Sequence, residues 1–123
     1  MQKQLTQKEK DELLNEVKKR LNFIMSRIKS IRGIMISTDE GISIISVGDT
    51  EKSDLLAPIS ATYLQLTRMV SGIIEDEVTI IEAHYKNTKV LFFQIGMVIF
   101  SIIMGKDADS IIVKELLEKL FVK

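Results

Sequence analysis

A chain of 123 residues with 46% hydrophobic content can form one domain that buries roughly two-thirds of its unfolded surface. The absence of cysteine excludes disulfide frameworks and thiolate metal sites and fits a reducing, cytoplasmic setting. Seventeen basic residues cancel seventeen acidic ones, which removes any global field drawing the protein to nucleic acid or an anionic membrane.

Residues 1–7 are expected to be a flexible N-terminus and residues 8–123 a single domain. Thr6 followed by Glu9 makes a capping box ahead of an apolar series at helical spacing. That series is Leu13, Leu14, Val17, Leu21, Ile24, Met25 and Ile28, a stripe expected to cover one sheet face while Lys10, Glu12, Glu16, Lys19 and Arg20 meet water. Ile31–Ser37 and Ile42–Val47 flank Thr38-Asp39-Glu40-Gly41, a type I turn with the glycine in the left-handed bulge position, so the pair reads as a β-hairpin. The polar run Gly48–Ser53 ends it.

A second helix is predicted over Asp54–Ile74, with Pro58 in or near its first turn. Leu55, Ile59, Leu66, Val70 and Ile73, flanked by Leu56, Tyr63 and Ile74, form the face expected to lie on the sheet. On the opposite side Ala57, Ala61, Leu64 and Arg68 make a row of mostly small residues, which a partner helix can approach closely. The acidic run Glu75-Asp76-Glu77 reads as solvated surface. Val78–Tyr85 is predicted as a strand, and its Val78-Thr79-Ile80-Ile81 portion lacks the proline or lysine that normally guards an outer strand. It is therefore a candidate pairing edge, with Ile42–Val47 as the alternative.

Val90–Ile95 and Val98–Met104 are apolar at nearly every position, the pattern of strands covered on both faces. Gly96-Met97 joins them in a two-residue type II′ turn. After a loop in which Asp107, Asp109 or Ser110 can act as N-cap, a third helix runs over Ile111–Phe121 with Ile112, Leu116, Leu117, Leu120 and Phe121 buried. The order α-β-β-α-β-β-β-α gives an α+β fold (α/β in the broad sense), an antiparallel five-stranded sheet with helices on both faces. Val90–Gly105 is too short and too interrupted to span a membrane, so no membrane insertion is expected.

Reaction chemistry is sparse. There is no GxxxxGK[ST], no GxSxG and no dinucleotide fingerprint. His84 is the sole histidine and reads as structural or surface, and the carboxylates lie where ordinary ionisation is expected. The chain is accordingly read as a non-enzyme with no catalytic residues, no cofactor and no metal.

Three stretches carry a resemblance: IRGIMISTDEGISIIS at Ile31–Ser46, APISATYLQLTRMV at Ala57–Val70, and VIFSIIMGKDADSIIVKELL at Val98–Leu117. In that order they resemble the Roadblock/LC7 family over about Asp11–Phe121, with Gly41 at the family's glycine after the acidic turn and Ala57 and Ala61 at its alanine-rich helical positions. The resemblance implies a longin/profilin-like sandwich that dimerises into a continuous ten-stranded sheet with second helices paired. It further implies a non-catalytic adaptor or regulator of small Ras-like GTPases. The expected interface is Ala57, Ala61, Leu64 and Arg68 with Val78, Thr79, Ile80 and Ile81, in a homodimer or a heterodimer with a paralogue. The alternatives are a small-ligand sensor of PAS or GAF type and a structural light-chain subunit of a motor or other assembly.

Overall fold

The computed structural model describes residues 4–121, so residues 1–3 of the expected flexible N-terminus and residues 122–123 of the expected domain lie outside the described residues. Helix α1, Gln7–Arg27, starts where its capping box places it. The Glu9 amide donates to the Thr6 hydroxyl at 3.1 Å, and the Thr6 amide donates to the Glu9 carboxylate at 3.4 Å. Strands β1, Ile31–Thr38, and β2, Ser43–Gly48, form the first hairpin. Gly41 holds φ +89° in the turn, its amide donates to the Thr38 carbonyl at 3.1 Å, and the register shifts between Ile36 and Ser37, the glycine bulge that the sequence predicts. A 3-10 turn, Asp49–Lys52, leads into helix α2, Leu56–Ile74, whose third residue is Pro58.

Three strands follow: β3, Ile81–His84; β4, Thr88–Ile95; and β5, Val98–Gly105. Gly96 takes φ +60° and no other turn residue is left-handed, the II′ arrangement. Helix α3, Ser110–Phe121, is capped by Asp109, whose carboxylate accepts from the Ile111 and Ile112 amides at 3.0 and 3.1 Å. The sheet runs β2-β1-β5-β4-β3, antiparallel throughout. The two near-continuous apolar strands, β4 and β5, lie inside it, as double coverage requires. The α+β class, the element order and helices on both faces are as expected.

One face carries α1 and α3 over Ile34, Ile36, Leu91, Phe93, Phe100 and Ile102, with Leu21, Ile24, Val113 and Leu117 reaching down from the helices. Phe93 and Phe100 stack there with centroids 5.6 Å apart. The helical stripes are narrower than their spacing suggests. In α1 only Leu21 and Ile24 are buried, whereas Leu13 and Leu14 are exposed; in α3 Ile112 and Leu120 are exposed and Val113 takes the buried place. An apolar stripe is covered only where strands lie beneath it, and Leu14 meets the outer strand β2, beside Ile44 and Ile45, where the sheet ends.

The largest departure concerns α2. The face expected on the sheet points outward, and the small-residue row points in: Ala57 is 1% exposed, Leu64 3% and Ser60 fully buried. The strands explain the inversion. On this side the sheet presents Ser37 and Ser101, both fully buried, as gaps among the larger Met35, Phe92 and Ile99. Small residues on the helix against small residues on the sheet let the backbones approach closely, and two bulky faces would have held them apart. The Ser60 hydroxyl donates to the Ala57 carbonyl at 2.8 Å and lies 3.5 Å from that of Ser37, so these two hydroxyls of the seam have partners, whereas that of Ser101 has none.

Candidate functional site

Turning α2 round leaves Leu55, Ile59, Tyr63, Leu66, Val70 and Ile73 on the outside. Their exposures run from 41% at Tyr63 to 81% at Ile73. The steps of four, four, three, four and three keep them in one band, and Met69 and Ile74 widen it. Arg68 is the only charged residue in the helix's nineteen. A helix lying alone on a sheet in water carries its charges on this side; here the water-facing side is the apolar one. Eight exposed large apolar residues thus lie on this one helix and its N-cap, and such patches mark contact sites.

Beside this face lies a sheet edge. β3 ends the strand order and is therefore an outer strand, as expected, but it is shorter than predicted. Pairing with β4 begins only at Ile81, opposite Phe92, so Val78, Thr79 and Ile80 do not belong to the ladder. The reason begins at the end of α2, where Glu75 adopts φ 56° and ψ 43° and the Asp76 amide returns to the Ser71 carbonyl. The chain leaves that cap across the helix and over a cleft of about 340 Å³ against β4, with Val78 and Ile80 half-buried. Leu64, Arg68, Val78, Thr79 and Ile80 all line this cleft. Five of the eight expected interface residues thus converge, although Ala57 and Leu64 are turned to the sheet, Ala61 is half-buried, and Ile81 opens β3. Arg68, exposed, donates to the Gln94 side-chain oxygen.

The edge strand carries polar chemistry that sequence reading missed. Glu82 and His84 point to the α3 side, where the Glu82 carboxylate accepts from the Ser110 hydroxyl and lies 3.5 Å from the Lys89 ammonium and 3.6 Å from His84 Nε2. The Ser110 hydrogen bond, followed by the Lys89 and His84 charges, holds Glu82 below its ordinary value of 4.5 against the opposing effect of burial. Asp49 is lowered as well, chiefly by its hydrogen bond from Lys52, with Arg32 2.8 Å away. Ionisation at these two carboxylates is therefore not ordinary: each has a close neighbour in sequence, Lys52 or His84, and a group that the fold brings up from farther away, Arg32 or Ser110. The only advance signal was the i, i+2 spacing of Glu82 and His84, which places them on one side of a strand.

Among the described residues, no group of three or more His, Cys, Asp or Glu side chains is placed to hold a metal ion, and no helix is long and apolar enough to cross a membrane.

No family model matches the sequence, and no curated protein does. Solved structures do match. A Roadblock/LC7 domain from Streptomyces avermitilis superposes with a TM-score of 0.67 at 15% identity, over 83% of this chain and 95% of its own. The gliding protein MglB from Thermus thermophilus gives 0.69 at 13% identity, over 88% and 82%. An MglB in a tetrameric arrangement gives 0.70 at 12% identity, over the same shares. The fold is that of the Roadblock/LC7 domains.

Proposed function

We propose that this chain is a non-catalytic adaptor that pairs with a second copy of itself and, as a dimer, holds a small Ras-like GTPase or scaffolds one in a larger complex. The observation that carries the reading is the apolar outer face of α2 beside the open edge of β3. A two-fold axis perpendicular to the sheet brings both features against their copies at once, extending the sheet from five strands to ten and covering both helical bands. The interface is accordingly drawn from the outer band of α2 with Arg68, Thr79, Ile80 and Ile81 at its margin, while Ala57 and Leu64 seat the helix on its own sheet. The tetrameric arrangement of one MglB supports self-association in this fold.

A GTPase as the further partner follows from the Roadblock/LC7 resemblance together with the shared fold. The absence of a phosphate-cradling motif in the sequence fits a protein that grips a nucleotide-binding partner and leaves the nucleotide chemistry to it. The test is retention of GTP- and GDP-loaded Ras-like GTPases from the native cell on the immobilised chain, with retention of at least one nucleotide state expected. Equal indifference to all of them defeats the GTPase assignment, and a monomer at micromolar concentration by sedimentation defeats the dimer.

A further inference from the structure

We infer that in the dimer proposed above, on which this step rests, β3 pairs with its copy in one register only, centred on Ala83, so that Glu82 of each protomer lies against His84 of the other. Symmetry narrows the choices. An antiparallel pair of edge strands joined into one continuous sheet is related by a two-fold axis perpendicular to the sheet, and that axis leaves every side chain on the face it started from. Directly opposed residues share a face, and faces alternate along a strand. The numbers of two opposed residues therefore sum to an even value, and some residue must lie opposite its own copy.

The backbone selects which groups are free to pair. The Tyr85 amide donates to the Thr88 carbonyl at 2.8 Å, so Tyr85 turns its hydrogen-bonding groups toward β4. Alternation then directs Ile81 and Ala83 inward as well, leaving Glu82 and His84 with their amides and carbonyls facing the open edge. In a register centred on Ala83 these residues pair with each other twice, and all four free amides and carbonyls of the strand are used in each protomer.

The other even registers fail on charge or on chain path. Centring on Glu82 sets two carboxylates face to face, which is destabilising, and opposes His84 to Ile80, outside the ladder. Centring on Ile81 requires Val78 and Ile80 in line, yet those residues turn away over the cleft. Centring on His84 opposes two imidazoles and sets Glu82 against Lys86, beyond the end of β3. Only the Ala83 register places an acid opposite a base twice within the strand itself, sets Ile81 beside the exposed Tyr85 of the copy, and leaves the smallest side chain of the strand on the axis.

Charges on an outer strand ordinarily repel any incoming strand. The Glu82 carboxylate does so toward a neutral or like-charged strand, while the strand's own copy in this register sets an imidazole against each carboxylate. The groups packed around the pair are consistent with that role: Lys89 from β4 and Ser110 from α3 hold Glu82 in place and ionised, and His84 remains 61% exposed at its side chain.

The chain has no cysteine, so single cysteines report the register directly. Ile81→Cys, Glu82→Cys, Ala83→Cys and His84→Cys are each equilibrated in a glutathione buffer and examined by non-reducing electrophoresis and intact mass. Ala83 faces its copy at a non-hydrogen-bonded site, where Cα atoms lie about 4.5 Å apart, within disulfide reach. Ala83→Cys is expected to give at least tenfold more covalent dimer than the other three. A dimer by sedimentation that cross-links best through Glu82→Cys or Ile81→Cys overturns the register and leaves the dimer standing. A dimer that cross-links at none of the four removes β3 from the interface, and a monomeric wild type overturns both. Independently, His84→Glu is expected to weaken self-association about tenfold, since two contacts are lost together, whereas His84→Lys preserves it; equal behaviour of the two variants refutes the Glu82–His84 contact.

Discussion

Leu66→Glu separates the two things that α2 does. Leu66 is 53% exposed in the isolated protomer, so a polar replacement removes little packing there, and its cost to folding falls within about 0.5 kcal/mol, the range of ordinary surface changes. In the dimer the same site is covered. Full burial of a leucine side chain is worth about 1.5–3 kcal/mol, and roughly half of that remains to be gained at Leu66, so the loss is about 1 kcal/mol per copy and about 2 kcal/mol per dimer. Each carboxylate forced into the apolar band adds at least about 1 kcal/mol of desolvation. The sum of about 4 kcal/mol corresponds to a dissociation constant raised at least 100-fold. Sedimentation velocity across a concentration series measures the association. Far-UV circular dichroism at a concentration where the wild type is monomeric measures the folding. Unchanged association refutes the assignment of this face to the dimer. A fall of 10 °C or more in the melting temperature of the monomer shows instead that Leu66 is packed within its own chain.

Two further expectations concern the protomer itself. The Ser101 hydroxyl is buried without a hydrogen-bond partner; Ser101→Ala removes that unsatisfied group and leaves almost no void, so stability should rise by about 1 kcal/mol, or about 4 °C in melting temperature for a domain of this length, and a destabilised variant in a thermal melt refutes this account of the seam. Ser110→Ala removes the main cause of the lowered pKa of Glu82. Because the folded value lies below the ordinary value of 4.5, the stability that Glu82 contributes is present above that pH and is lost as pH falls through the folded value. The variant's deficit relative to wild type should therefore be full at pH 7 and vanish in acid, and a carboxyl carbon titration by NMR should show Glu82 moving upward.

The elements set by local chemistry were legible in the chain. The Thr6–Glu9 box, the bulge at Gly41 and the tight turn at Gly96 each depend on a few neighbouring residues, and each is found where its spacing predicts. The facing of α2 was not legible from its own residues. Hydrophobicity alone assigns the bulkier face to the core, an inference that holds for a helix acting only within its own protomer. The contrary signal lay elsewhere, in Ser37 and Ser101 within otherwise apolar strands, which ask for a small-residue partner. The early end of pairing at Ile81 is likewise a tertiary effect, since the path of residues 76–80 is set by the cap at Glu75 and the cleft beside β4. The Glu82–Lys89–Ser110 contacts join residues up to 28 positions apart and follow from the fold.

Helix α1 has a consequence for motion. Its 21 residues span about 31 Å, and burial is confined to Leu21 and Ile24 near its C-terminal end. The opening turns are secured by the Thr6–Glu9 box and a Gln7–Asp11 side-chain hydrogen bond, restraints too few to hold a short helical segment in water by themselves. Amide exchange should therefore grade along one continuous helix, rapid before Leu13 and slow at Leu21–Ile24, with its first turns opening and closing while the sheet beneath its other end stays intact.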